Sequence, residues 1–144
     1  MGKFFNSLQK LLRVKRYSID QLRRQVALLN EQIDLRLLAI EKNIAYINTE
    51  RLIASVNING SDTLVAFMEQ KMLQNKQYEM EREELQMMVK KLQDQLYEAY
   101  VEEKQLEKVQ SQEKIRMTIE EKRRENQVMD EMATQTNRKN LLKY

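Results

Sequence analysis

The chain has 144 residues with 25 Lys and Arg against 22 Asp and Glu, a net charge of +3, 33% charged residues, two glycines and no proline, cysteine or histidine. This composition favours long uninterrupted helices over a layered globular domain, and it excludes disulfides, thiolate nucleophiles and the usual zinc ligands. No stretch approaches the roughly 18 consecutive apolar residues of a membrane span.

At the N-terminus, Phe4, Phe5, Leu8, Leu11 and Leu12 are interrupted by Asn6, Lys10 and Arg13, so no secretory h-region forms. Met1-Gly2 invites a myristoylation reading, but Asn6 stands where that motif wants Ser or Thr. From here an apolar residue recurs on sevens: Phe5, Leu12, Ile19, Val26, Ile33, Ile40, Ile47 and Ala54. A helix returns every seventh side chain to nearly the same face, so these residues form one seam awaiting a partner helix. They predict a first helix over about residues 5–56.

Asn57, Asn59 and Gly60 then break the pattern, and a loop is expected over 57–62. A second register on sevens follows at Leu64, Lys71, Tyr78, Leu85, Leu92, Ala99 and Leu106, within a second helix over about 63–135. In an antiparallel pair the numbers of facing residues share a constant sum. Val26 against Leu92 gives 118, and the same value pairs Ile19 with Ala99, Leu12 with Leu106 and Leu29 with Val89. Its midpoint falls in the predicted loop, although a slip by a whole heptad also satisfies the periodicity. The fold class is therefore all-α, a long two-helix antiparallel coiled-coil hairpin forming a single elongated domain.

The second helix outlasts the first. Met1 faces Met117 in this register, which leaves residues from Thr118 to about Gln135 as a C-terminal helical overhang bearing a short stripe of Val128, Met129, Met132 and Ala133. A basic tail is expected over 136–144. Lys3, Lys10, Arg13, Lys15 and Arg16 at one end and Arg138, Lys139 and Lys143 at the other lie in runs without any acid. The hairpin brings these ends towards one pole, giving a basic end and a mildly acidic shaft. In the first seam strict heptads put Arg36, Asn43 and Glu50 towards the partner while Leu37 and Ile44 lie one position on, which reads as a drifting apolar column.

Chemistry is not encoded in any recognisable motif. There is no Gly-rich phosphate loop and no nucleophile with a plausible base, so no enzyme, cofactor or metal site is expected. Glu81 with Glu84, and Glu102 with Glu103, read as solvated helix charge. The nine methionines, concentrated in the second helix, read as adaptable packing.

The run Phe5-Asn6-Ser7-Leu8-Gln9-Lys10-Leu11-Leu12-Arg13-Val14-Lys15-Arg16 followed by Ile19-Asp20-Gln21-Leu22 resembles the start of the FliJ family of flagellar type III export proteins. Glu103-Lys104-Gln105-Leu106-Glu107-Lys108, a long charged helix and Met129-Asp130-Glu131-Met132-Ala133 fit the family's C-terminal pattern. The resemblance implies a cytoplasmic coiled-coil stalk, peripheral at the membrane through the export apparatus. Its joined ends insert into the hexameric flagellar export ATPase, and it also meets export chaperones and the cytoplasmic domain of the export gate protein. In this chain Lys3, Lys10, Arg13, Lys15, Arg16, Arg138 and Lys139 would meet the ring, and Tyr46 and Phe67 would meet the gate, with Lys71 where a more apolar surface is expected.

Three other readings share these features. A stalk protein of virulence-type secretion has the same architecture, and a generic coiled-coil adaptor has the same heptads. A peripheral membrane protein would turn residues 3–16 towards anionic lipid as a basic amphipathic helix, with Phe4, Phe5, Leu8, Leu11 and Leu12 inward. Nucleic-acid binding fits poorly, because the positive charge is confined to the ends.

Overall fold

The computed structural model describes residues 2–56 and 61–142. Two helices account for them: α1, Lys3–Val56, of 54 residues, and α2, Ser61–Leu142, of 82 residues. Among the described residues there is no strand, and the two helices pack antiparallel as a hairpin. Ser61 and Asp62 belong to α2 rather than to the loop, and Asp62 supplies the carboxylate that a helix first turn favours. The remaining predicted loop positions, 57–60, lie outside the described residues.

The contacts group into two units, Ser18–Ala99 and Met1–Tyr17 with Tyr100–Tyr144. In the first unit, Asn43 Nδ2 donates to Asn75 Oδ1 at 2.8 Å, and Arg36 Nε donates to Glu81 Oε2 at 3.2 Å. Contacts descend α2 as they ascend α1, and Asn43 opposite Asn75 is the pairing that sums to 118. In the second unit Lys15 pairs with Glu102, and Phe5 lies beside Glu113 and Met117. This is the same register.

Burial follows the heptads as far as Ile47, with Gln21 and Ala39 half-buried beside the seam and Glu50, the next seam position, exposed. In α1 the buried or half-buried positions step by three and four through Phe5, Leu8, Leu12, Lys15, Ile19, Leu22, Val26, Leu29 and Ile33, then Arg36, Ile40, Asn43 and Ile47. The apolar column therefore does not drift. Leu37 and Ile44 are 37% and 49% exposed, whereas Asn43 is 6% exposed inside the seam. The isoleucines on either side hold the helix face, and rotating to shelter Leu37 would swing them all out of contact by about 100°. Polar side chains thus enter the seam in partnered layers. Arg36 bonds Glu81, and Arg82, in the same layer, approaches Glu79 at 3.5 Å with its Nε buried and unbonded.

The seam ends at Met117, the last half-buried residue of α2. Beyond it the two seam columns continue as Glu120, Arg124, Gln127, Glu131, Thr134 and Arg138, so there is no apolar stripe for α1 to cover. The overhang remains helical throughout and runs on to Leu142, through the segment expected to be a tail. No glycine or proline interrupts it, and Lys139 stands in the last turn where the helix dipole favours a cation.

Candidate functional site

Lys3, Lys10 and Arg13 are exposed on α1 at the open end of the hairpin. Lys15 and Arg16 are engaged by α2 instead: Lys15 with Glu102, and Arg16 Nη2 with Glu107 Oε1 at 3.3 Å. The sequence presents five equivalent cations, but the register splits them into three available and two neutralised. Arg138 and Lys139 are exposed on the overhang. They do not converge with the N-terminal cations, because Arg138 lies about 32 Å of helix past Met117, where the pairing ends. The helical course of 136–142 causes this separation.

The acids opposite the basic end respond to it. Partial burial draws the Glu107 carboxyl upward, but hydrogen bonds and charge from Arg16 and Lys104 outweigh it and hold its pKa below the ordinary value. Glu113 is held low by its hydrogen bond to Arg116, whose guanidinium also reaches Glu120 Oε1 at 2.6 Å. Both carboxylates bind a proton less readily when folded. Their stabilisation is complete above the unfolded Glu value of about 4.3 and is lost as the pH falls through the lower folded values. Thermal melts of the E107Q/E113Q variant should therefore lose less stability than the wild type between about pH 6 and about pH 3. An equal loss would mean that these pairs form no better in the folded state than in the unfolded chain.

Tyr46 and Phe67 come together around Lys71. The Lys71 ammonium lies 5.5 Å from the centroid of each ring, within cation–π range of both. Lys71 occupies the seam layer opposite Ile47, and its stem carries the charge out to the rings. The residue that interrupts the apolar pattern is thus the one that joins the two aromatics.

No known family model, curated protein or solved structure matches this chain. Among the described residues no group of three or more acidic side chains is arranged to hold a metal ion, and no helix is long and apolar enough to cross a membrane. The surface grooves are open troughs along the helices, such as the one lined by Phe5, Glu113, Met117 and Arg124 at the end of the seam. Phe5, Leu8 and Leu12 are buried against α2, which leaves only Phe4 and Leu11 of the five apolar residues that a membrane-surface helix would use. Two features escape a seam-based sequence reading. One is the Asn43–Asn75 layer. The other is an apolar stripe on the outer face of α1, which emerges in sequence when the columns of sevens from Leu28 and from Glu31 are read together.

Proposed function

We propose that this chain is a non-enzymatic stalk of a flagellar type III export apparatus, seated in the hexameric export ATPase and promoting its assembly or turnover. The single observation that carries the reading is a helical hairpin whose second helix continues alone for about 25 residues, roughly 37 Å, past the last paired layer. A shaft of this kind can pass along the axis of a ring while the hairpin end rests on the rim. Together with the resemblance of both end segments to the FliJ family, this favours a stalk over a generic adaptor.

The exposed Lys3, Lys10 and Arg13 then contact the rim, and Arg138 and Lys139 reach further along the pore. Lys15 and Arg16 brace the hairpin through Glu102 and Glu107. A shaft touching some subunits more than others changes their relative conformational energies, and so biases the ring without hydrolysing anything itself. The Tyr46–Lys71–Phe67 cluster is the contact for the cytoplasmic domain of the export gate, and export chaperones are further partners in the cytoplasm.

The test measures ATPase rate and hexamer population for the export ATPase of the same source. It compares the intact chain, K3E/K10E/R13E and a chain ending at Met117. The intact chain should stimulate turnover, and both variants should lose at least about tenfold in apparent affinity. F67A/Y46A should stimulate normally yet bind the gate domain less tightly. Absence of binding and stimulation by the folded intact chain would overturn the stalk reading.

A further inference from the structure

The outer face of α1 repeats the seam spacing. Leu28, Leu35, Leu38, Ala45, Leu52 and Val56 fall on steps of three and four once Glu31, Lys42 and Thr49 are counted in the series. All are exposed, with Leu28, Leu35, Leu38 and Leu52 between 47% and 71% accessible. Solvated helix faces have no reason to repeat apolar residues at this spacing, whereas a second helix packing knobs into holes requires it. On α2 the matching outer column of Leu73, Met80 and Met87 is flanked by Gln70, Gln77 and Glu84, so it makes no second seam.

We infer that this stripe pairs with the same stripe of a second copy of the chain, antiparallel, to give a two-fold dimer of hairpins. The charges choose both the partner and the register. Between Leu28 and Val56 the stripe holds two charged residues, Glu31 and Lys42, of opposite sign. Sliding two copies antiparallel until Leu35 of one meets Leu38 of the other also sets Glu31 against Lys42, twice by symmetry, and Leu28 against Ala45. Moving the register by seven residues sets Lys42 against Arg24 in one direction and against Leu38 in the other. Parallel pairing in register sets Glu31 on Glu31 and Lys42 on Lys42, which like-charge repulsion opposes. The first arrangement alone sets acid against base while pairing Leu35 with Leu38 and Leu28 with Ala45; at its ends Leu52 meets Gln21 and Thr49 meets Arg24. The register that sets Lys42 against Leu38 also pairs Leu28 with Leu52 and Leu35 with Ala45, but it leaves Glu31 against Thr49.

Pairing over residues 21–52 spans roughly 48 Å. With a helix about 10 Å across, it covers on the order of 1,000 Å² in total, at the lower bound for a specific interface. The dimer is accordingly weak, with a dissociation constant in the micromolar range. This inference does not depend on the stalk reading.

Sedimentation equilibrium of the full chain over roughly 1–300 μM, at about 50 mM salt to limit screening, tests it. The wild type should pass from monomer to dimer. E31K and K42E should each weaken dimerisation by about tenfold or more, and E31K/K42E together should return it to near the wild-type value. Circular dichroism melts check that each hairpin is folded. A wild type that stays monomeric throughout overturns the proposal. So does a dimer indifferent to the single reversals, or one that the double reversal fails to restore.

Discussion

Leu12→Ala is expected to destabilise the hairpin by about 2–4 kcal/mol, read as a lowered midpoint in urea denaturation followed by circular dichroism. Among the described residues Leu12 is the most deeply buried side chain, at 2% exposure, and in the observed register it faces Leu106. Truncation removes its contacts with α2 and leaves a gap between two helices that have no third element to close it. Leu11→Ala provides the control, because Leu11 is 54% exposed one residue away. It has the same chemistry and the same local helix, so it isolates the effect of facing the partner, and it should cost no more than about 0.5 kcal/mol. Equal losses at the two positions would mean that α1 presents a different face to α2 from the one described.

Much of this fold is legible in sevens. Ile19 opposite Ala99 and Leu12 opposite Leu106 follow from two independent periodicities sharing one sum, since a helix face and an antiparallel partner leave only slips by whole heptads. Counting apolar residues fails where the seam is polar. Arg36 and Asn43 resemble departures from the pattern, and Leu37 and Ile44 resemble its continuation, because sequence registers hydrophobicity while the helix responds to the geometry of its neighbours. Ile33, Ile40 and Ile47 outweigh the polar layers between them. The basic tail expected from 136 does not begin there, because a chain with no breaker continues its helix through 142.

The interaction surfaces are less legible for a related reason. Tyr46 and Phe67 are 21 positions apart in sequence, and their meeting around Lys71 exists only once the register is set. Lys15 and Arg16 look equivalent to Lys3, Lys10 and Arg13 until α2 brings Glu102 and Glu107 beside them. In a hairpin the sign of a surface depends on both helices, and a run of cations on one of them says little by itself.

Replacing both Asn43 and Asn75 by leucine is expected to raise stability by about 1–2 kcal/mol and to lower the specificity of pairing. The native layer holds two amides in a seam otherwise bordered by Ile40, Ile47 and Tyr78, with Asn43 Nδ2 also within 3.4 Å of Gln74 Oε1. Leucines would exchange these bonds for buried apolar area. The amides discriminate among registers because each needs the other. A slip of seven residues in one direction sets Asn43 against Arg82 and Asn75 against Glu50, and in the other it sets Asn43 against Met68 and Asn75 against Arg36. Each slip separates the two amides, which are left without their mutual hydrogen bond. The leucine pair removes this penalty, since a leucine packs acceptably against most neighbours. The chain has no cysteine, so introduced pairs report the register by disulfide formation. I40C/Y78C should cross-link in the parent chain and I40C/L85C, displaced by one heptad, should not; in the leucine variant the displaced pair should begin to cross-link. If the variant is more stable yet cross-links only in the native layer, the remaining layers of the seam are sufficient to hold the register without the amides.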